Sequence, residues 1–174
     1  MSTDRRSNSC LFVSHCVLAQ CVMATGRVKT HPSMVESVVR FCLENSVNIM
    51  QMPCPETRHA GLGREPKGKA WYEAHGLRAS AAGIADGQAA YMDELVAAGC
   101  VILGVAAIEF SPACAVNYLN RGSRIVPGSG IYIEELRRAL LERHLDVPIV
   151  GISPRWPGKA KRDLTALLPV ASVA

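Results

Sequence analysis

Leu11-Phe12-Val13-Ser14-His15-Cys16 ends a short apolar run on a cysteine, and the pattern recurs twice further along the chain. Cys54 follows Val47-Asn48-Ile49-Met50, and Cys114 follows the apolar run from Val101 to Ile108. If the three runs are strands pointing the same way in one sheet, all three thiols arrive at its carboxyl edge, where open α/β sheets bind ligands. Three thiols without an evident fourth suggest a metal centre that keeps one coordination position free for chemistry.

Working outward, Val147-Pro148-Ile149-Val150-Gly151-Ile152 reads as a fourth strand that ends at Ser153-Pro154 on the same edge. Amphipathic helices are expected between the strands, over 32–45, 86–98 and 132–144, with apolar residues at helical spacing. Alternation of strand and helix gives the expected fold class: α/β, a compact three-layer domain with a parallel sheet of about four or five strands. Residues 57–83 show neither period and carry several glycines among basic and aromatic residues, so they read as an active-site loop. The tail 153–174 reads as a short helix or a mobile end.

A chain of 174 residues can enclose one full core, and a single domain over 1–174 is the expectation. With 49% apolar and 20% charged residues it has the composition of an ordinary globular protein. A formal charge of +4 is too mild to argue for wrapping long nucleic acid, though an anionic ligand is compatible with it. The polar start and the interruption of the first apolar run by Ser14 and His15 argue against a secretory signal or membrane anchor, so a cytoplasmic location is expected. Seven cysteines, an odd count, then read as ligands, catalytic groups or small core residues rather than as disulfide partners.

Three constellations carry the chemistry. In Ser14-His15-Cys16-Val17-Leu18-Ala19-Gln20-Cys21, a thiol at a strand end meets backbone N–H groups that favour the thiolate, although Cys16 taken alone reads equally as a core residue. Cys21 is a weaker candidate for a fourth ligand, because a helical turn carries it away. In Met52-Pro53-Cys54-Pro55-Glu56 the flanking prolines stiffen the presentation of Cys54, and Glu56 is a candidate general acid or base; in isolation it reads as a solvated loop glutamate. In Glu109-Phe110-Ser111-Pro112-Ala113-Cys114, Ser111 either faces the cavity or caps the segment from Pro112, and Glu109 is a competing carboxylate expected to pair with an arginine. Cys10, Cys42 and Cys100 are core candidates. Gly61-Leu62-Gly63 lacks the spacing of a phosphate-binding P-loop. His59, Lys67, Lys69, Trp71 and Tyr72 would either stack a base and attract an anionic tail or form a solvated basic lid.

Taken together, Ser14-His15-Cys16, Cys54-Pro55-Glu56, Gly61-Leu62-Gly63-Arg64 and Ser111-Pro112-Ala113-Cys114 resemble the thiouracil desulfidase (TudS) family over about residues 11–152. The chain departs from the family's usual Ser-Pro-Ser-Cys-Gly at Ala113 and Ala115, and it has a histidine before the first cysteine. The resemblance implies a Rossmann-like domain with a 4Fe-4S cluster held by Cys16, Cys54 and Cys114, and with Glu56 and Ser111 as catalytic residues. It also suggests His15, Gln20 and Arg64 as substrate-binding residues. The implied activity is non-redox hydrolysis of a C–S bond in a thiolated nucleobase or nucleoside of the 2-thiouracil or 4-thiouracil type, with release of sulfide. The expected partner is that small molecule; a tRNA is a further candidate that charge alone does not support, and no membrane is expected. Two alternatives use the same cysteines: a hydrolytic or structural zinc protein, and a cluster-bearing sensor or sulfur carrier without catalysis.

Overall fold

The computed structural model describes residues 5–29 and 32–169. Its centre is a four-stranded parallel sheet of β1 (Ser9–Ser14), β2 (Asn48–Met52), β3 (Val101–Ile108) and, numbered by chain order, β6 (Ile149–Ile152). The strands lie in the order β2-β1-β3-β6. β1 and β3 sit inside, and their long apolar runs are buried on both faces, as central parallel strands require. Helices flank the sheet and complete a three-layer, Rossmann-like α/β arrangement. On one side α5 (Leu77–Ala97) packs on α6 (Ile131–Glu142); elsewhere α2 (Glu36–Glu44) packs on α7 (Pro157–Thr165). The remaining elements are α1 (His15–Leu18), a 3-10 turn (Gln20–Val22), α3 (Pro55–Ala60), α4 (Lys69–Ala74) and an antiparallel hairpin of β4 (Tyr118–Arg121) and β5 (Arg124–Pro127).

Several expectations are corrected. Residues 57–83 are not an irregular loop: they contain most of α3, all of α4 and the start of α5, and only the linkers at 61–68 and 75–76 lack helix. α5 runs nine residues further back than expected, because its buried stripe is written in small residues. Leu77, Ala81, Ile84, Ala85, Ala89 and Met92 recur at helical spacing, and the alanines let the helix lie close to its neighbours. α2 begins at Glu36 rather than at 32, with that carboxylate in the first turn, where the helix dipole favours it. The fourth strand is shorter than expected, starting at Ile149. The β4–β5 hairpin has no counterpart in the expectations; Arg121 pairs with Arg124 across Gly122-Ser123, whose Gly122 has φ 62°. The tail forms α7, and residues 170–174 lie outside the described part.

Candidate functional site

β2, β1 and β3 are neighbours and parallel, so their carboxyl ends open on one edge. Cys16 lies two residues beyond β1, Cys54 two beyond β2, and Cys114 at the end of a turn after β3. All three line one cavity of about 360 Å³, together with Glu56, Ser111, His15, Gln20 and Arg64. The three candidate ligands, the Glu56–Ser111 pair and the three candidate substrate-binding residues therefore share one wall, whereas Cys21, His59, Lys69, Trp71 and Tyr72 are not on it.

Each cysteine is fixed by a different local device. Cys16 is the second residue of α1, anchored by the buried Val17, and the Gln20 side chain donates to the Cys16 carbonyl at 2.5 Å. Cys54 has the extended backbone that a following proline imposes. It caps α3, where its Sγ accepts the Thr57 N–H at 3.4 Å and lies 3.8 Å from Arg64 Nη2. Cys114 ends a turn whose N–H groups at Ala113 (3.1 Å) and Cys114 (2.9 Å) are both accepted by Ser111 Oγ. The far side of that turn accepts the unpaired N–H groups at the start of α6: Ile131 donates to Pro112 at 3.0 Å and Tyr132 to Ala113 at 2.9 Å. Gly130 permits the approach, since a Cβ there would lie 2.2 Å from the Ala113 carbonyl oxygen.

Glu56 is buried at the centre of this arrangement. Its Oε1 accepts the Ser111 hydroxyl at 2.8 Å, and because Ser111 Oγ already accepts two N–H groups, the hydroxyl proton goes to Glu56. Its Oε2 accepts from Arg64 Nη2 at 3.3 Å, Arg64 Nε at 3.4 Å and the Tyr72 hydroxyl at 3.4 Å. Arg64 Nη1 is turned to the Val22 carbonyl (2.8 Å) and Thr57 Oγ (3.0 Å), so each guanidinium nitrogen has a protein partner. Both readings of Ser111 hold at once, as cap of a turn and as a group facing the cavity. Glu109 meets backbone instead of the arginine expected for it: it accepts the N–H groups of Val116, Asn117 and Tyr118 at 3.1 to 3.3 Å.

The electrostatics tie the groups together. Burial pushes the Cys16 thiol up, and the neighbouring Cys54 and Glu56 add to it. Cys114 is raised well above the ordinary thiol value by burial and then by Cys16, Cys54 and Glu56, against a hydrogen bond with Ser14 that lowers it. Burial opposes the charge on Arg64, yet Glu56 and Cys54 outweigh it and raise its pKa. Burial, with Glu56 next, pushes Tyr72 up to about 12. His15, half-buried on the cavity wall, is lowered by burial. As thiolates the three would repel one another, and a cationic group bound among them would relieve that repulsion. The donor set thus suits a thiolate-ligated cluster. Among the described residues no three His, Cys, Asp or Glu groups could hold a metal ion.

A solved structure titled 4Fe-4S-dependent thiouracil desulfidase TudS matches this chain over 91% of its length and 99% of the other, with a TM-score of 0.51 and 20% identity. The fold is shared with TudS. At this identity the likeness shows the fold alone, and it is a likeness to the same family that the cysteine motifs resemble. No family model and no curated protein matches the chain.

Other expectations fare differently. Tyr72 is fully buried beneath Glu56, and Trp71 stacks on His75 at 3.9 Å, so neither faces the cavity. Lys69 reaches across to Ser129 and Glu134 on α6. Lys67 does line the cavity, with Arg27, Lys29 and Arg155. Cys21 is exposed, while Cys10 and Cys42 are buried as expected of core residues, and Cys100 is half-buried. Sequence reasoning missed Ser14, whose hydroxyl accepts the Ile108 N–H at 3.2 Å and bonds Cys114. It also missed Tyr72 as a partner of Glu56. Neither has a local signal, since each acts through a residue far along the chain. Among the described residues no helix is long and apolar enough to cross a membrane.

Proposed function

We propose that this protein is an iron-sulfur-dependent desulfidase that removes sulfur from a thiolated pyrimidine base or nucleoside by hydrolysis. The observation that carries this reading is the meeting of Cys16, Cys54 and Cys114 on one cavity wall with the Glu56–Ser111 pair between them. Those three cysteines would hold a 4Fe-4S cluster, which when bound supplies a Lewis-acidic iron without a protein ligand for a thiocarbonyl sulfur.

The chain's own residues do the rest. Glu56 receives donated hydrogens at both oxygens, a pattern that suits the carboxylate, so it takes the proton from a water that adds to the thiocarbonyl carbon. The C–S bond breaks as the added hydroxyl becomes a carbonyl, its proton passes to the sulfur, which leaves as hydrosulfide, and Glu56 returns its proton to solvent. No electrons are exchanged. Ser111 and Arg64 hold the carboxylate from its two sides, Gln20 holds the Cys16 backbone, and His15 on the wall contacts the substrate.

Protein purified without oxygen and reconstituted with iron and sulfide is expected to be brown, to contain iron and labile sulfide in equal amounts, and to release sulfide steadily from 2-thiouracil or a thiouridine. Colourless, zinc-loaded protein, or brown protein that releases sulfide only with a second protein present, would overturn the reading.

A further inference from the structure

We infer that Phe110 selects a planar heteroaromatic thione, its ring forming the face of the cavity on which the substrate ring stacks. The inference rests on the desulfidase reading and adds the residue that recognises the substrate's ring.

Phe110 is the only phenylalanine, tyrosine or tryptophan among the described residues that line the cavity. Its backbone is unusual for such a side chain, with φ at 67°. The left-handed region crowds Cβ against the following carbonyl, and bulky residues avoid it. Two other non-glycine residues among those described share it, Ser46 and His144, and both stand just past a helix, α2 and α6, where that conformation commonly ends the helix. Phe110 has no helix before it. It stands between β3 and the Cys114 turn, so its conformation needs another cause.

That cause is a clamp. The Glu109 carboxylate gathers the N–H groups of residues 116–118, and the Phe110 N–H is bound by the Tyr118 carbonyl at 2.9 Å. Room for Glu109 comes from Gly151, where a Cβ would lie 1.8 Å from Glu109 Oε1. The ring of Phe110 is then held by two contacts: Trp156 meets it nearly edge-on at 5.2 Å and 76°, and the guanidinium of Arg155, itself on the cavity wall, lies 5.4 Å from its centroid. Backbone strain held by surrounding structure at a cavity wall is a recurrent sign of function. Ser111, the next residue, touches Glu56 at 2.8 Å, so a ring stacked on Phe110 lies beside the reacting groups.

The test is calorimetric titration of the cluster-loaded protein with 2-thiouracil, with uracil, which has the ring without the sulfur, and with thioacetamide, which has the thiocarbonyl without the ring. Phe110→Gly suits the left-handed backbone and removes the ring; Phe110→Leu keeps apolar bulk without an aromatic face; Phe110→Tyr keeps the ring. The glycine and leucine variants are expected to bind 2-thiouracil and uracil about tenfold more weakly, the tyrosine variant to bind them as the unmodified protein does, and thioacetamide binding to be unchanged throughout. The inference is overturned if the unmodified protein binds neither ring, if the glycine or leucine variant binds them undiminished, or if thioacetamide loses as much as the rings. Phe110-dependent binding of both rings without any sulfide release would instead sink the desulfidase reading and leave the role of Phe110 standing.

Discussion

Six of the seven cysteines form two groups at opposite ends of the sheet. Cys16, Cys54 and Cys114 lie past the carboxyl ends of β1, β2 and β3; Cys10 and Cys100 sit at the amino ends of β1 and β3, and Cys42 on α2, whose chain then turns into β2. Burial raises thiols in both groups: Cys10 and Cys42 are pushed up to about 11, Cys10 with a further contribution from Cys100. A raised thiol is therefore no mark of function. What separates the groups is convergence with donors. Cys54 receives the Thr57 N–H and the Arg64 guanidinium, and Cys114 bonds Ser14, whereas Cys10 and Cys42 are raised by burial alone or by a neighbouring thiol.

The contrast breaks most sharply by substitution. Cys114→Ala should remove nearly all iron from reconstituted protein, whereas Cys42→Ala should keep its full complement and cost about 1 kcal/mol of stability; iron analysis and chemical denaturation measure the two. Equal iron loss in both variants would erase the distinction. Glu56→Gln should keep the cluster and slow sulfide release by about two to four powers of ten, and an undiminished rate would mean the base lies elsewhere. Gly130→Ala drives a Cβ into the turn that carries Cys114, so it should lower stability by about 1–3 kcal/mol and loosen iron retention. Gly83→Ala is its control: it lies within α5 with open space around its Cβ position and should stabilise by about 0.5–1 kcal/mol.

The smallest effect concerns the clasp of α4 and α5 on α6. Arg78 bonds Glu73, Glu134 and Glu135, and Lys69 bonds Glu134. Burial raises the Glu134 carboxyl, but Lys69 and Arg78 outweigh it and hold its pKa below the ordinary value. Its folded value being depressed, the clasp contributes stability above the ordinary carboxylate range and loses it as pH falls through the folded value. The unmodified protein should lose more melting temperature on acidification than Arg78→Ala does, by a modest margin because the pair is about one-third exposed.

Much of the fold was legible because its signals are local. The apolar runs of β1 and β3 marked buried parallel strands, and Pro53 and Pro55 marked the stiff presentation of Cys54. Only the second half of α5 is legible in the sequence, because its stripe of alanines carries little hydrophobic contrast and Gly76 and Gly83 read as parts of a loop. The β4–β5 hairpin did carry a two-residue Gly-Ser turn signal between Tyr118-Leu119 and Ile125-Val126, and was overlooked for its shortness.

By itself the sequence determined the α/β class and the placing of each cysteine just past a strand, because these depend on residues adjacent along the chain. Only the tertiary structure decided that β1 lies between β2 and β3, and with that order came the contacts between Glu56 and Ser111, Ser14 and Cys114, and Tyr72 and Glu56. Such contacts join residues 16 to 100 positions apart, and strand order, which local propensity does not encode, is set by how the helices and sheet pack as a whole.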